Sequence, residues 1–342
     1  METLWFALVA VMLTVYVVLD GFDLGAGIVS LLVARNEEER SRVLESIAPF
    51  WDGNEVWLLA GGGTLYFAFP VLYASSFQGF YLPLMMVLWL LMLRGIAIEF
   101  RHHVTNPMWR PVWDLAFGGA SALLTIFYGA ALGNVVRGVP LDKNAEFFLP
   151  LWTDWTPGAN PGILDWYTVL VGLLAFAALA LHGGLWVAAK TGGDLNVRAA
   201  RFARMAGVAV AALVALVTWV SFAVQPQLAR SFGARPWMAI FPVLAVAGLA
   251  GTFALRGEMA RFGASCAFLL GMMTSAAAGV FPFVLPSSTD PNLSLTIFNT
   301  AAAGYGLRVG LWWWLPGVAL AGFYMLFLYR RFAGKVESHA GH

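Results

Sequence analysis

Two carboxylates stand three positions apart in "VVLDGFDLGAGIV", residues 17–29, inside an apolar run long enough to cross a bilayer. Each of Asp20 and Asp23 would cost about 2.5–3.5 kcal/mol at the centre of an isolated membrane helix. An acid in such a place is either held by a counter-charge or used to carry protons. Related groups recur along the chain: Asp52 and Glu55 in "WDGNEVW", Arg94 in "LRGIAIEFR", Asp114 in "WDLAFG" and His182 in "ALHGGLWV". A deep arginine needs partners, and its own helix offers none. Positions 90, 91, 97 and 98 are Leu, Leu, Ala and Ile. The counter-charges must come from other helices.

The chemistry available is acid–base rather than redox. Haem iron takes His, Met, Cys or Tyr as axial ligands, and His182 is the single histidine inside an apolar run. It reads better as a hydrogen-bonding group between packed helices. Cys266 stands alone, so it can form neither an internal disulfide nor a CxxC site. HExxH and a glycine-rich phosphate loop are both missing from the sequence.

The elements that carry these groups are membrane helices. Of 342 residues 60% are hydrophobic and 11% charged, against about 25% charged in a soluble domain. A net charge of +1 carries no suggestion of nucleic acid. The first residues, "METLWFALVAVML", lack a basic region and a small-residue cleavage site, so they are expected to stay as a first span. Apolar runs of about 20 residues predict nine spans, approximately 4–33, 55–75, 80–100, 114–136, 163–189, 205–225, 237–255, 262–285 and 309–330. Long runs without alternation exclude barrel strands. The expected class is an all-α polytopic membrane protein, with two four-helix bundles and a ninth, peripheral helix.

Charge sets the expected orientation. Loops after odd-numbered spans carry Arg35, Arg40, Arg42, Arg101, Arg110, Lys190, Arg198, Arg201, Arg204, Arg256 and Arg261, and the tail adds Arg330, Arg331 and Lys335. The opposite side has only Arg137, Lys143, Arg230, Arg235 and Arg308. The N-terminus is therefore expected outside and the C-terminus in the cytoplasm. The connection 137–162 divides residues 1–136 from a second unit at 163–285, leaving 286–342 for a loop, the last span and the tail. "FGGASALLTIFYGAALG" and "FGASCAFLLGMMTSAAAG" hint at a duplication, as do "VLDGFDLG" and "ALHGGLWV". Gly21 and Gly25 form a GxxxG pair, while Gly61, Gly62 and Gly63 would offer a flat face to a neighbouring helix.

At 1.5 Å per residue, Asp20 and Asp23 lie roughly 22–27 Å in from the outer surface and Arg94 roughly 20 Å in. Asp114, Asp52, Glu55 and His182 fall near the same inner layer. Depth selects Asp23 and Asp114 as partners of Arg94, forming a trio that fixes helix register. Asp52, at the inner mouth of span two, is expected to take up protons, with an N-cap as its structural alternative. Asp20 and Glu55 would extend that hydrated path. Glu99, His102 and His103 read as a solvated surface cluster. A rival reading is a stand-alone proton-coupled transporter, although carriers favour the midplane and these charges gather further in.

"DGFDLG" (20–25), "SIAPFWDGNEVWL" (46–58), "FPVLYASSFQGFYLP" (69–83), "LRGIAIEFR" (93–101), "WDLAFG" (113–118) and "FPFVLPSSTDPNLSLTIFNTA" (281–301) together resemble subunit II of the cytochrome bd-type quinol oxidases. The resemblance covers nearly the whole chain. It implies a bacterial cytoplasmic-membrane respiratory complex that passes electrons from quinol to oxygen and takes protons from the cytoplasm without pumping. It places two b haems and one d haem, with the quinol-oxidising loop, in a partner subunit I of similar fold. A small single-span subunit often accompanies the pair, and some members hold a structural quinone. Position by position, Asp52 resembles an acid of a proton channel between the large subunits. Trp57 resembles a tryptophan near an oxygen route or subunit interface, and Asp23, Arg94 and Asp114 match a buried polar trio. The chain is short for the family, with a compact outer loop at 226–236.

Overall fold

The computed structural model describes residues 1–104, 106–158 and 160–336. Helix α1 (Glu2–Val33) is an unbroken run of 32 residues, about 48 Å long at 1.5 Å per residue. Helix α2 (Glu37–Ile47) is short and polar. Asn36 caps it by accepting the Glu39 N–H at 2.9 Å, and three glutamates suit its positive end. Helix α3 (Trp51–Ala68) stops at Phe69, because Pro70 lacks an N–H and disfavours helical backbone before it. Proline then opens α4 (Pro70–Gly79). Next come α5 (Tyr81–Phe100) and α6 (Trp109–Arg137), the latter ending on Gly138 at φ +95°, a conformation that glycine takes without strain.

The second half opens with α7 (Trp166–Lys190). Asp165 and Thr168 form its capping box, with bonds of 2.8 and 2.9 Å. Then follow α8 (Gly193–Val224), α9 (Gln227–Ala234), α10 (Ile240–Ala254), α11 (Glu258–Val280) and α12 (Gly304–Arg331). Between the last two lies a hairpin of β1 (Phe283–Leu285) and β2 (Leu295–Thr296). The eighth expected span, 262–285, therefore ends as helix at Val280 and continues as a strand.

Eight helices among the described residues are long and apolar enough to cross a membrane, and the all-α polytopic class holds. They leave out α3, whose 18 residues include Asp52, Asn54 and Glu55. The expected second span, 55–75, is thus broken inside its own limits. Even so, α3 runs antiparallel to α1 over most of its length. Asn54 meets Asp23 at one end, and the Phe67 ring lies 5.2 Å from that of Trp5 at the other.

Helix α1 is the hub, packing on α3, α6, α7 and α11. Its approach to α7 needs two glycines. A Cβ at Gly25 would sit 2.0 Å from the Leu179 carbonyl oxygen, and one at Gly183 would sit 2.1 Å from the Gly25 carbonyl carbon. Small residues bring membrane helices this close because hydrophobic burial supplies no drive between them in lipid. The similar segments play similar parts: Phe117 and Ser121 of α6 meet α1 at Gly27, while Phe262 and Ser265 of α11 meet α7 at His182. Of the three successive glycines, a Cβ at Gly61 would meet Leu13, whereas one at Gly62 or Gly63 would meet nothing within 4 Å among the described residues.

The core has two parts. One surrounds Phe22, Phe50 and Trp186 and runs through the helices. The other gathers Trp5, Phe69 and Leu307 with the connection 139–163 and the β-hairpin. The first holds the acid layer.

Candidate functional site: a carboxyl cluster around Arg94

Three helices build the cluster. Arg94, from α5, is fully buried. Its Nη1 lies 2.8 and 2.9 Å from the two carboxylate oxygens of Asp20 on α1, and Nη2 donates to Glu55 Oε2 on α3 at 3.1 Å. Asp20 has no exposed surface, while the Glu55 side chain keeps 23%. Asp52 stands one turn before Glu55, exposed to solvent. It is not a helix cap, for Phe50 holds that position without a side-chain bond. An exposed acid, a half-exposed acid and a buried acid thus follow one another inwards.

The expected trio is corrected in its pairing. Asp23 is buried at 1% exposure but makes no ion pair with Arg94. Its Oδ2 instead accepts from Asn54 Nδ2 at 2.7 Å. Asp114 binds Arg101, whose Nε lies 2.6 Å away, and has Arg40 at 3.6 Å. The reason is geometric. Asp114 opens α6 across a short turn from the end of α5, where Arg101 is the nearest guanidinium. Arg94 lies seven residues earlier, about 10 Å deeper. Asp20 and Glu55, expected only along the proton path, are the real counter-charges.

Sequence reasoning passed over several polar groups that complete the site. Asn54 also donates to the Leu19 carbonyl at 3.2 Å, and its Oδ1 accepts from Tyr329 Oη at 3.1 Å. One turn from Asp20, the Tyr16 hydroxyl donates to that of Tyr128 at 2.9 Å. Tyr128 lines a cavity of about 630 Å³ between α3, α4, α5 and α6. Asn54 was visible in "WDGNEVW" as an amide beside two acids; Tyr16 and Tyr128 carried no local signal. Two polar atoms in this region are buried without a partner among the described residues, Asp23 Oδ1 and Arg94 Nε.

His182 does what an interhelical histidine does. Its Nε2 lies 2.9 Å from the Val18 carbonyl, its Nδ1 lies 2.7 Å from Ser265 Oγ, and Phe262 stacks on it at 4.8 Å. Both ring nitrogens are committed, so the residue does not fit haem ligation. Glu99, His102 and His103 are all exposed, and His103 Nδ1 lies 3.0 Å from the Glu99 carbonyl. Trp57 is half-buried in a crevice of about 570 Å³ between α3 and α12, which Gly63 also lines. The described residues contain no group of three His, Cys, Asp or Glu able to hold a metal ion.

Beside this charged layer, α2 is fastened by ion pairs. Glu39 accepts the Arg35 N–H at 2.7 Å and lies 2.6 Å from Arg198 Nη2. Burial opposes ionisation of Glu39, but these donors prevail and hold its carboxyl below the usual range.

Fold and site together define a polytopic helical membrane protein that gathers ionisable groups from separate helices in one buried layer, a construction kept for charge handling. The family model described as "Cytochrome bd terminal oxidase subunit II" matches residues 1–332, and the chain belongs to that family. It is 31% identical to "Probable cytochrome oxidase subunit 2" of Haemophilus influenzae, over 98% of this chain and 95% of the relative. Identity is 30% to "Cytochrome bd-I ubiquinol oxidase subunit 2" of Escherichia coli K12, over 97% and 94%. It is 32% to "Cytochrome bd ubiquinol oxidase subunit 2" of Bacillus subtilis, over 90% and 89%. The fold matches that in "The structure of bd oxidase from Geobacillus thermodenitrificans" with a TM-score of 0.69 and 17% identity, covering 97% of this chain and 98% of the other. This is a multi-pass inner-membrane subunit of an oxidoreductase complex that contains haem and a partner subunit I.

Proposed function

We propose that this chain supports the haem-bearing subunit I and delivers cytoplasmic protons to the oxygen-reducing site there, without binding haem itself. The observation that carries the reading is the graded series Asp52, Glu55, Arg94, Asp20, which leads from solvent to a fully buried carboxylate through direct contacts and one helical turn. Carboxyl groups outnumber the one guanidinium, so the cluster can take up a proton while keeping a counter-charge. The committed nitrogens of His182 support a haem-free chain. Relatives named as ubiquinol oxidases support a quinol as the reductant of the complex; two b haems, one d haem and non-pumping turnover come from the family resemblance.

The basic residues favour an N-terminus outside and a cytoplasmic C-terminus. The open glycines of α3 and the crevice at Trp57 suit the side facing subunit I, with Trp57 near an oxygen route. A small single-span subunit and a structural quinone are further expectations of the complex. The repeated segments support reading 1–136 and 163–285 as related units, joined by 137–162, with the last helix peripheral.

Asp52→Asn in the assembled complex is the test. Normal assembly with oxygen consumption slowed several-fold is expected. Unaltered turnover would leave the acids a purely structural role. A visible spectrum of the complex purified through this chain checks the partner: haem d absorption is the expected result.

A further inference from the structure

The last helix is the least packed of the membrane helices, yet its inner end reaches the acid layer. Tyr329 stacks on Phe50 with centroids 4.6 Å apart and planes at 23°. Its hydroxyl donates to Asn54 Oδ1 at 3.1 Å, and the amide of Asn54 then donates to Asp23 Oδ2 at 2.7 Å. The tail beyond is tied down as well: Lys190 Nζ donates to the Phe332 carbonyl at 2.6 Å, and the Val336 N–H donates to the Lys190 carbonyl at 2.8 Å.

We propose that Tyr329 and Asn54 are positioning residues, a latch that fixes Asp23 in one orientation and leaves its Oδ1 as the oxygen that receives a proton. This rests on the proton-delivery reading above. The argument starts from the two ends of an amide. An asparagine side chain can turn over, presenting either a donor or an acceptor to its neighbour. With Tyr329 donating to Oδ1 and the Leu19 carbonyl accepting from Nδ2, the NH₂ end faces Asp23. Turned over, the amide would set its own oxygen against a carboxyl oxygen, and the phenol would face a donor. The Leu19 carbonyl, which can only accept and lies 3.2 Å from Asn54 Nδ2, and the Tyr329 hydroxyl together select the state in which Asp23 Oδ2 is satisfied.

The other oxygen is the consequence. Asp23 Oδ1 is buried and has no partner among the described residues, although buried polar atoms are nearly always bonded. The groups facing Asp23 come from every element around it: Asp20 on its own helix, Asn54 and Glu55 on α3, Arg94 on α5 and Tyr329 on α12. The guanidinium is already engaged by Asp20 and Glu55. His182 of α7, one turn away along the α1 contact, spends both nitrogens elsewhere. A proton on Oδ1 removes the uncompensated charge and leaves Oδ2 as a carbonyl that the amide continues to bond.

Infrared difference spectroscopy of the assembled complex tests this, because a protonated carboxyl group has a carbonyl stretching band that a carboxylate lacks. Asp23→Asn should abolish one such band. Asn54→Leu should move that band to higher frequency, since its carbonyl loses a hydrogen-bond donor. Tyr329→Phe keeps the stack on Phe50, removes only the hydroxyl, and should broaden or shift the same band at normal yield. It keeps the test open if Asn54→Leu fails to assemble. A band untouched in Tyr329→Phe, or no band lost in Asp23→Asn, overturns the latch. The shifts stand apart from turnover. If Asp52→Asn leaves oxygen consumption unchanged while Tyr329→Phe still moves the Asp23 band, the delivery route fails and the latch remains.

Discussion

Two of the three arginines buried among the described residues, Arg137 and Arg94, have surroundings that differ in kind. Arg137, at the end of α6, uses all its nitrogens. Nε donates to the Gly138 carbonyl, Nη1 to the Gly162 carbonyl and to Asp165, and Nη2 to Asn134 Oδ1. Asp165 in turn caps α7. One cation faces one anion, and none of these atoms is left over. Arg94 is more deeply buried, yet it meets two carboxylates with a third carboxyl, Asp23, close by, and its Nε has no partner among the described residues. A group built only to hold helices together is expected to resemble Arg137. The surplus of acid and the unpaired atoms around Arg94 are expensive for a clamp and useful for a group that handles protons.

The largest expected effects break that contrast directly. Removing one partner of a buried pair costs about 3–5 kcal/mol. Arg137→Ala should abolish most of the assembled complex, because it strands Asp165 and frees the connection at Gly162. Arg94→Ala should lower the yield as well. The second-site variants separate the two: Arg94→Ala with Asp20→Asn should recover much of the complex, since the stranded charge is gone. Arg137→Ala with Asp165→Asn should recover little, because the carbonyls of Gly138 and Gly162 still lack a donor. Equal recovery, measured as purified complex per unit of membrane, would erase the distinction drawn here.

A smaller effect is expected at the rim of the cluster. Glu55→Gln keeps a hydrogen-bond acceptor for Arg94 and leaves Asp20 in place, so assembly should be unchanged. Oxygen consumption should still fall, by less than in Asp52→Asn, if protons pass Glu55 on the way in. Full activity in Glu55→Gln together with slow turnover in Asp52→Asn would send the path around Glu55.

How much of this was legible follows from what a one-dimensional count measures. Rise per residue gives depth, so the common layer of Asp20, Asp23, Asp52, Glu55 and Arg94 was readable from spacing alone. Depth does not give the lateral neighbours of a helix. Asp20 and Asp23 differ by less than a turn, and the choice between them depends on how α3 and α5 pack around α1: Arg94 of α5 takes Asp20, and Asn54 of α3 takes Asp23. The error at Asp114 was avoidable: in a hairpin of α5 and α6, Arg101 closes α5 and Asp114 lies in the second turn of α6, which leaves Arg94 about two turns deeper than Arg101. The break at Phe69 was also readable from Pro70, but a hydropathy window averages across it. Tyr329 is different in kind. It lies 275 positions from Asn54, and no local pattern joins a phenol at the end of one helix to an amide at the start of another.

The mildest prediction concerns a third kind of ion pair, at the edge of the charged layer rather than in the core. Glu39 is held ionised by the Arg35 N–H and Arg198, so its folded pKa lies below that of an unfolded glutamate. A lowered folded pKa contributes stability that is complete above the unfolded value, about 4.3, and is lost as pH falls towards the folded one. Glu39→Gln should therefore lower the thermal inactivation midpoint of the solubilised complex at pH 7, by an amount corresponding to at most about 1 kcal/mol. The gap to the unaltered protein should close as the medium is taken below about pH 4. A gap of the same size at both pH values would mean that Glu39 acts by shape and hydrogen bonding. The edge of α2 would then resemble Arg137, a fitted joint whose charge is incidental, and the surplus acid around Arg94 would stand alone in the molecule.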